Sequence, residues 1–440
     1  MNLGDGFLDL CYRINGNDKR YKYYKVFRNN LTYTRDEILE LQQNSIKNLI
    51  NHAYHNSVYY KKLFDQNGID PAEIINSRDL IKIPSLTKSI IAENLEDIKT
   101  IDSYGKDLKK VTSGGSTGIQ AVVYKSHYFE QMSRAAWLRN NSMIGWMPSD
   151  KSVWIWGSPI EHASLKNNIK VRIGALINKK IILNAYTYSQ NDFPKWFKLI
   201  NRFKPKVLYG YASIILEFSK FALENKLVFS SIKMVVSTTE KLLERETIAK
   251  AFNCNVYDQY GCREIVAIGL ETKPGEMVFT DDTTIVNTNE NDEFLLTSLH
   301  SYGFPLINYK VGDIGIITGT SESSEKYPFP QIHLKIGRIT ENFLTEDNKI
   351  VSTSAFSTYL STLMLGIQQH QIIQTDYTDF IINYIPLDIT DHDFYKKKLI
   401  MALQEYFGKK IKTTFTIIQE IPFEKSGKRL MFKRTFNQDK

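Results

Sequence analysis

The chain has 440 residues, 42% of them hydrophobic and 24% charged, which excludes a disordered chain and leaves room for one large domain plus a smaller one. Its net charge of +8 comes from 56 Lys and Arg against 48 Asp and Glu spread along the sequence, so no basic block marks a nucleic-acid surface. Cys11, Cys254 and Cys262 lack the spacing of a disulfide framework or zinc site, and no window holds the ~18 apolar residues of a membrane span. The N-terminal stretch has no continuous apolar core before a small-residue cleavage site, so a cytoplasmic protein is expected.

In chain order, apolar residues recur at helical spacing from Thr34 to about Phe64, with Thr34 as N-cap. Pro84 makes a turn, and a second helix starts near Thr87. Three strand–helix units follow: "SVWIWG" then "LKNNIKVRIGALINK", "KPKVLYGY" then "ASIILEFSKFALENK", and "IKMVVSTTE" then "KLLERETIAKAF". Near-continuous apolar strands alternating with helices predict an α/β fold with a mainly parallel sheet covered by helices. From about Glu276 the pattern alternates between Asp and Asn turns, predicting an antiparallel β subdomain. After "IGRITENF" the chain restarts as a small α+β module, with strands in "HQIIQTDYTDFIINYIPL", a helix in "DFYKKKLIMALQEYFG" and a strand in "KTTFTIIQEI". Lys396–Lys398 reads as a solvated helix face.

Five stretches carry candidate chemistry. "VTSGGSTGIQAVV", from Val111 to Val123, is either a hairpin connection or a loop whose amides and hydroxyls hold phosphate. It lacks the Lys of the nucleotide-triphosphate P-loop and the context of a dinucleotide fingerprint. "VYDQYGCREI" puts Tyr260, Gly261 and Glu264 at a strand end, where α/β ligands bind; the alternative is a buried Tyr and a surface Glu. "YGFPLINYKVGDIGII" reads as two apolar strands joined by a tight turn at "VGD", with Asp313 either a turn residue or an acceptor for a ribose diol. "KIGRIT" offers a hinge and the Arg338 fork, and "SGKR" near the C-terminus presents Lys428 on a short turn. Trp154, Trp156, Tyr209, Tyr211 and Ala212 stand at strand ends, as pocket residues or as core aromatics.

In this order the five motifs resemble the adenylate-forming superfamily, and most closely its phenylacetate–coenzyme A ligase branch with the relatives found in capsular-polysaccharide biosynthesis. The N-terminal "LINHAYHNSVYYKKLF" and "LIKIPSLTKS" share that branch's pattern, so the resemblance runs from about residue 40 to the end. It implies an adenylate-forming domain over residues 1–336 and a mobile lid over 337–440. It implies a phosphate loop at Ser113, Gly114, Gly115, Ser116, Thr117 and Gly118, and an adenine-side loop at Thr239 and Glu240, where a Gly or Ala commonly stands before the Glu. Tyr260 would pack on adenine, Glu264 would bind Mg2+, Asp313 would hold the ribose, and Arg338 would contact ribose or phosphate. Lys428 would offset charge as a carboxylate attacks the α-phosphate of ATP.

The sequence departs from that pattern at Ile119 and Gln120, where Lys or Pro is usual, at Arg263 before the metal carboxylate, and at Glu341 in the hinge. The first departure weakens contacts to the β- and γ-phosphates. The expected activity is activation of a carboxylic acid by ATP, then transfer to a sugar amine or hydroxyl, to coenzyme A or to a carrier protein. A coenzyme A ligase is the alternative, and a non-catalytic nucleotide-binding relative the second alternative. A homodimer is left open.

Overall fold

The computed structural model describes residues 18–112, 122–156, 179–185, 188–319, 326–336, 342–347, 349–351, 353–363, 367–387, 390–421 and 431–436. By its contacts the chain divides into two units: residues 1–111, 121–149 and 257–337 in one, and residues 112–120, 150–256 and 338–440 in the other.

The first unit is built on an antiparallel sheet. Its strands run, in spatial order, Thr284–Thr288, Glu293–Ser298, Tyr309–Thr318, Gln331–Ile336, Glu276–Phe279 and Gly269–Lys273, with Asn255–Tyr260 paired to the last. Antiparallel pairing therefore begins before Glu276, at Gly269. The sheet packs its apolar face, including Phe294 and Leu296, against Ile46, Leu49 and Ile50 of helix Arg35–Asn56. Each such side chain contributes about 1.5–3 kcal/mol on burial.

Thr34 caps that helix in a capping box with Glu37, as expected. The helical pattern to Phe64 is not one helix but two. Ser57 adopts an extended backbone (φ −114°) and its hydroxyl accepts from the Tyr60 amide, so it stops one helix and caps the next, Val58–Asn67. Thr87 caps helix Lys88–Glu93. Helix His127–Met143, which the periodicity did not single out, carries the fully buried Arg139. Arg139 makes two 2.8 Å bonds to the Asp282 carboxylate, and Asn30 donates to the same group at 2.8 Å. Next to it, Arg35 forks onto Asp281, and Gln42 completes that acceptor.

The second unit contains the parallel strands, in the order Lys180–Asn184, Ser152–Trp156, Val207–Tyr211 and Met234–Thr238. Every residue of the last two is buried, which explains their largely apolar sequences. Edge strand Lys180–Asn184 and helix Phe193–Phe203 are further elements that sequence reading missed. The helix expected at "LKNNIKVRIGALINK" lies outside the described residues apart from Lys179. The helix expected from Lys241 begins only at Arg245, because Glu244 has a left-handed backbone (φ 45°). Helices Ala212–Glu224 and Arg245–Phe252 follow their strands as expected.

Residues 343–436 form a smaller α+β domain with its own core. Its four-stranded sheet runs Lys412–Ile417, Asp379–Pro386, Ile367–Gln374 and Phe432–Arg434. Helix His392–Phe407, capped by Asp391, buries Tyr395, Leu399 and Leu403 in that core. Among the described residues no helix is long and apolar enough to cross a membrane.

Candidate active site

The first unit carries two carboxylates, each held by a tyrosine. Strand Asn255–Tyr260 delivers Tyr260 at its end; the ring is buried beside Phe294, and the hydroxyl donates to Asp313 Oδ2 at 2.8 Å. Asp313 is not in a turn between strands. "VGD" lies inside the single strand Tyr309–Thr318, where Gly312 has φ +92° and the registers with both neighbouring strands slip nearby. The left-handed glycine makes a bulge instead of a reversal and re-aims Asp313.

Glu264 is 3% exposed, so it is not the surface residue of the alternative reading. Its Oε1 accepts from the fully buried Tyr309 hydroxyl at 2.6 Å. Burial and the neighbouring carboxylate push the Tyr309 phenol well above its ordinary value, so it stays protonated and remains the donor. Around Glu264 the chain makes a tight turn: the Cys262 amide donates to Ile265 O at 3.0 Å and the Ile265 amide to Cys262 Sγ at 3.3 Å. Gly261 leads into it; a Cβ there would stand 3.2 Å from the Ala267 nitrogen. Lys125 Nζ donates to Arg263 O at 2.6 Å, and burial brings its ammonium down to about 8.

The second unit carries the remaining described candidates. Thr239 follows strand Met234–Thr238 with a left-handed backbone (φ 72°), and Glu240 Oε2 accepts from the Ser213 amide at 2.9 Å. Ser213 is the second residue of helix Ala212–Glu224, whose N-cap Tyr211 supplies no side-chain acceptor, so Glu240 takes that role from outside. Trp154 stands opposite Tyr209 in the ladder at 4.5 Å between ring centres, and Trp156 stacks on Tyr211 at 4.7 Å and 5°. Tyr209 and Tyr211 are buried, and Ala212 opens the following helix. Gly210 permits this close approach, since a Cβ there would meet Ile155 O at 2.4 Å.

In the same unit, Glu217 of helix Ala212–Glu224 accepts from the Tyr188 hydroxyl at 2.9 Å and from Asn342 at 3.3 Å. Tyr188 also exchanges backbone hydrogen bonds with Ile350. Burial pushes the Glu217 carboxyl up to about 7.

Ser113, Gly114, Gly115, Ser116, Thr117, Gly118, Ile119, Gln120, Arg338, Glu341 and Lys428 lie outside the described residues. Strands Lys109–Thr112 and Val122–Lys125, on either side of the glycine-rich stretch, pair with each other. Sequence reasoning missed Lys125, Tyr309 and Glu217. Lys125 had one signal, a charged residue ending the apolar strand that leaves the loop. Tyr309 lay within a quoted motif, and Glu217 had no signal on its helix.

The donor set fits a magnesium ion bound through one protein carboxylate. Among the described residues no three His, Cys, Asp or Glu cluster as a metal cage, and only one oxygen of Glu264 accepts a hydrogen bond. Mg2+ is commonly held in this way, by one or two carboxylates with substrate phosphates and water completing the shell.

The fold is similar to that of a solved acyl-CoA ligase. It superposes on a solved structure of 2-hydroxyisobutyryl-CoA ligase in complex with 2-HIB-AMP and CoA with a TM-score of 0.58 at 16% identity, covering 92% of each chain. The postadenylation-state structure of that ligase with 2-HIB-AMP gives 0.57 at 15%, over 93% of this chain and 91% of the other. In sequence, the chain is homologous to Protein CapK of Staphylococcus aureus, 25% identical over 436 aligned positions, covering 96% of this chain and 96% of that protein. It is also homologous to phenylacetate-coenzyme A ligase of Escherichia coli (strain K12), 24% identical over 321 aligned positions, covering 67% of this chain and 71% of that protein. Residues 343–435 match the family described as the CapK C-terminal domain.

Proposed function

We propose that the protein is an ATP- and Mg2+-dependent ligase that activates a small carboxylic acid as its acyl-adenylate and passes the acyl group to an acceptor. The observation that carries this reading is the pair of tyrosine-held carboxylates, Tyr260–Asp313 and Tyr309–Glu264, at the motif positions that the resemblance assigns to ribose and metal. In the first step a carboxylate oxygen of the acid attacks the α-phosphorus, and the bond to pyrophosphate breaks. Asp313 binds the ribose hydroxyls and Glu264 holds Mg2+, which would offset phosphate charge. Lys428 comes from the C-terminal domain to neutralise the developing charge, with Arg338 at the hinge between the two half-reactions. Phosphate is cradled by Ser113–Gly118, and adenine lies beside Thr239 and Glu240. The acid lies against Trp156, Tyr209, Tyr211 and Ala212. In the second step the acceptor attacks the acyl carbon and AMP leaves.

Pyrophosphate exchange by the purified protein, across a panel of carboxylic acids, tests the first half-reaction. Exchange with at least one acid, abolished in Lys428→Ala, is expected. No exchange with any acid together with no ATP binding by calorimetry overturns the reading, and ATP binding without exchange assigns the non-catalytic role.

Coenzyme A is the acceptor named by two kinds of relative, the phenylacetate ligases and 2-hydroxyisobutyryl-CoA ligase. A sugar amine or hydroxyl in surface polysaccharide is favoured by similarity to CapK along nearly the whole length of both proteins. AMP release on adding coenzyme A, set against release on adding amino sugars, separates these two acceptors.

A further inference from the structure

We propose that Lys125 and Tyr309 are positioning residues that hold Glu264 from both sides, one through the backbone and one through the carboxylate. The inference rests on the reading of Glu264 as the metal ligand.

Lys125 is the last residue of strand Val122–Lys125, the strand that returns from the glycine-rich stretch. Its side chain is buried, yet among the described residues it forms no ion pair. Its polar contact is the 2.6 Å hydrogen bond to Arg263 O, with the Phe129 ring 5.4 Å away. A buried ammonium is costly unless its donors are used, and an apolar residue would fill a strand end at lower cost. The placement is explained if the carbonyl it holds matters. Arg263 O belongs to the peptide bond that joins Arg263 to Glu264. Fixing that carbonyl fixes the plane from which the Glu264 Cα projects.

Tyr309 acts on the other side. Its hydroxyl donates to Glu264 Oε1 at 2.6 Å and sets the rotation of the carboxylate. The turn that carries Glu264 is stiffened by the Cys262–Ile265 bonds, so the remaining freedom of Glu264 is what these two side chains restrain. Mg2+ demands near-octahedral oxygen geometry, which makes its affinity sensitive to the orientation of a single carboxylate. Residues that orient a ligand in this way typically alter metal affinity 10- to 100-fold when removed.

The test is a Mn2+ titration by electron paramagnetic resonance on the full-length protein, with a non-hydrolysable ATP analogue present. Wild type is compared with Lys125→Met and Tyr309→Phe, and the KM of the carboxylic acid and the unfolding midpoint are measured in parallel. The expected result is a Mn2+ Kd raised about 10- to 100-fold in each variant, with the KM of the acid within about twofold of wild type. Variants that bind Mn2+ as wild type does, with only the unfolding midpoint lowered, overturn the proposal and leave both residues structural. Wild type that binds the analogue but no Mn2+ overturns the metal-ligand reading itself, a distinct failure. Tyr309→Phe removes one hydroxyl, so it decides the carboxylate side alone if Lys125→Met does not fold.

Discussion

The phenol of Tyr260 donates to the Asp313 carboxylate at 2.8 Å, although 53 residues separate them in sequence. The contact sets the orientation of the acid proposed to take the ribose diol. A carboxylate has roughly four lone-pair sites, so one phenol leaves room for two hydroxyls. Tyr260→Phe keeps the ring in the core and removes only the donor. A lost hydrogen bond of about 1 kcal/mol predicts a KM for ATP raised about fivefold in pyrophosphate exchange. Asp313→Ala removes the acceptor itself and is expected to raise that KM by two orders of magnitude or more, about 3 kcal/mol.

Glu217 predicts a pH dependence. Its carboxyl is pushed up from 4.5 to about 7 by burial, and the groups that face it are Tyr188, Asn342, Glu240 and Lys220. The folded protein thus binds this proton more tightly than the unfolded chain does. The stability that proton gives is fully present below pH 4.5 and is lost as pH rises through 7. At 1.36 kcal/mol per unit the loss is about 3 kcal/mol. Glu217→Gln keeps an acceptor for Asn342 and a partner for Tyr188 without the charge. It is expected to be more stable than wild type at pH 8 and to show a flatter profile, in urea unfolding at pH 5 and pH 8.

Arg139 and Asp282 form an ion pair whose side chains are 0% and 1% exposed. His300 faces the same pair, and burial holds it neutral, down to about 4. Removing one member strands a buried charge, so Arg139→Met is expected to cost about 3–5 kcal/mol. Replacing both, as Arg139→Met with Asp282→Leu, is expected to recover much of that loss. Urea unfolding of the two variants at one pH checks the coupling.

Thr239 sits at φ 72°, where a β-branched side chain is strained, and this is the position where the resemblance leads one to expect Gly or Ala. Thr239→Gly relieves about 1–2 kcal/mol of strain and costs roughly 0.5–1 kcal/mol in unfolded-chain entropy. A net gain of about 0.5 kcal/mol is expected, read as a higher denaturant midpoint at unchanged slope.

The α/β class, the parallel strands and the α+β module were legible because their periods are local. Val207–Tyr211 and Met234–Thr238 carry mainly apolar residues, all of them buried, because both faces are covered. What escaped was set by long-range contacts. "VGD" has the local chemistry of a turn, and only its pairing with two neighbouring strands makes it a bulge. Ser57 divides a pattern that is helical on both sides of it. Helix His127–Met143 buries Arg139 and Asn140, which blurs its apolar stripe, since their partners Asp282 and Ala267 lie far along the chain. At the site, the motif order pointed to Glu264 and Asp313. Their tyrosine partners and Lys125 became visible only through distances.

One carboxylate in the second unit has a consequence for how two ligands would sense each other. Glu240, proposed to lie beside adenine, tethers the amide of Ser213, next to Ala212 of the proposed acid pocket. A nucleotide that draws Glu240 toward itself tugs on the first turn of the pocket helix, and an acid that shifts that turn tugs on Glu240. The proposed adenine contact and the proposed acid pocket thus share one hydrogen-bonded element, through which binding at one would be felt at the other.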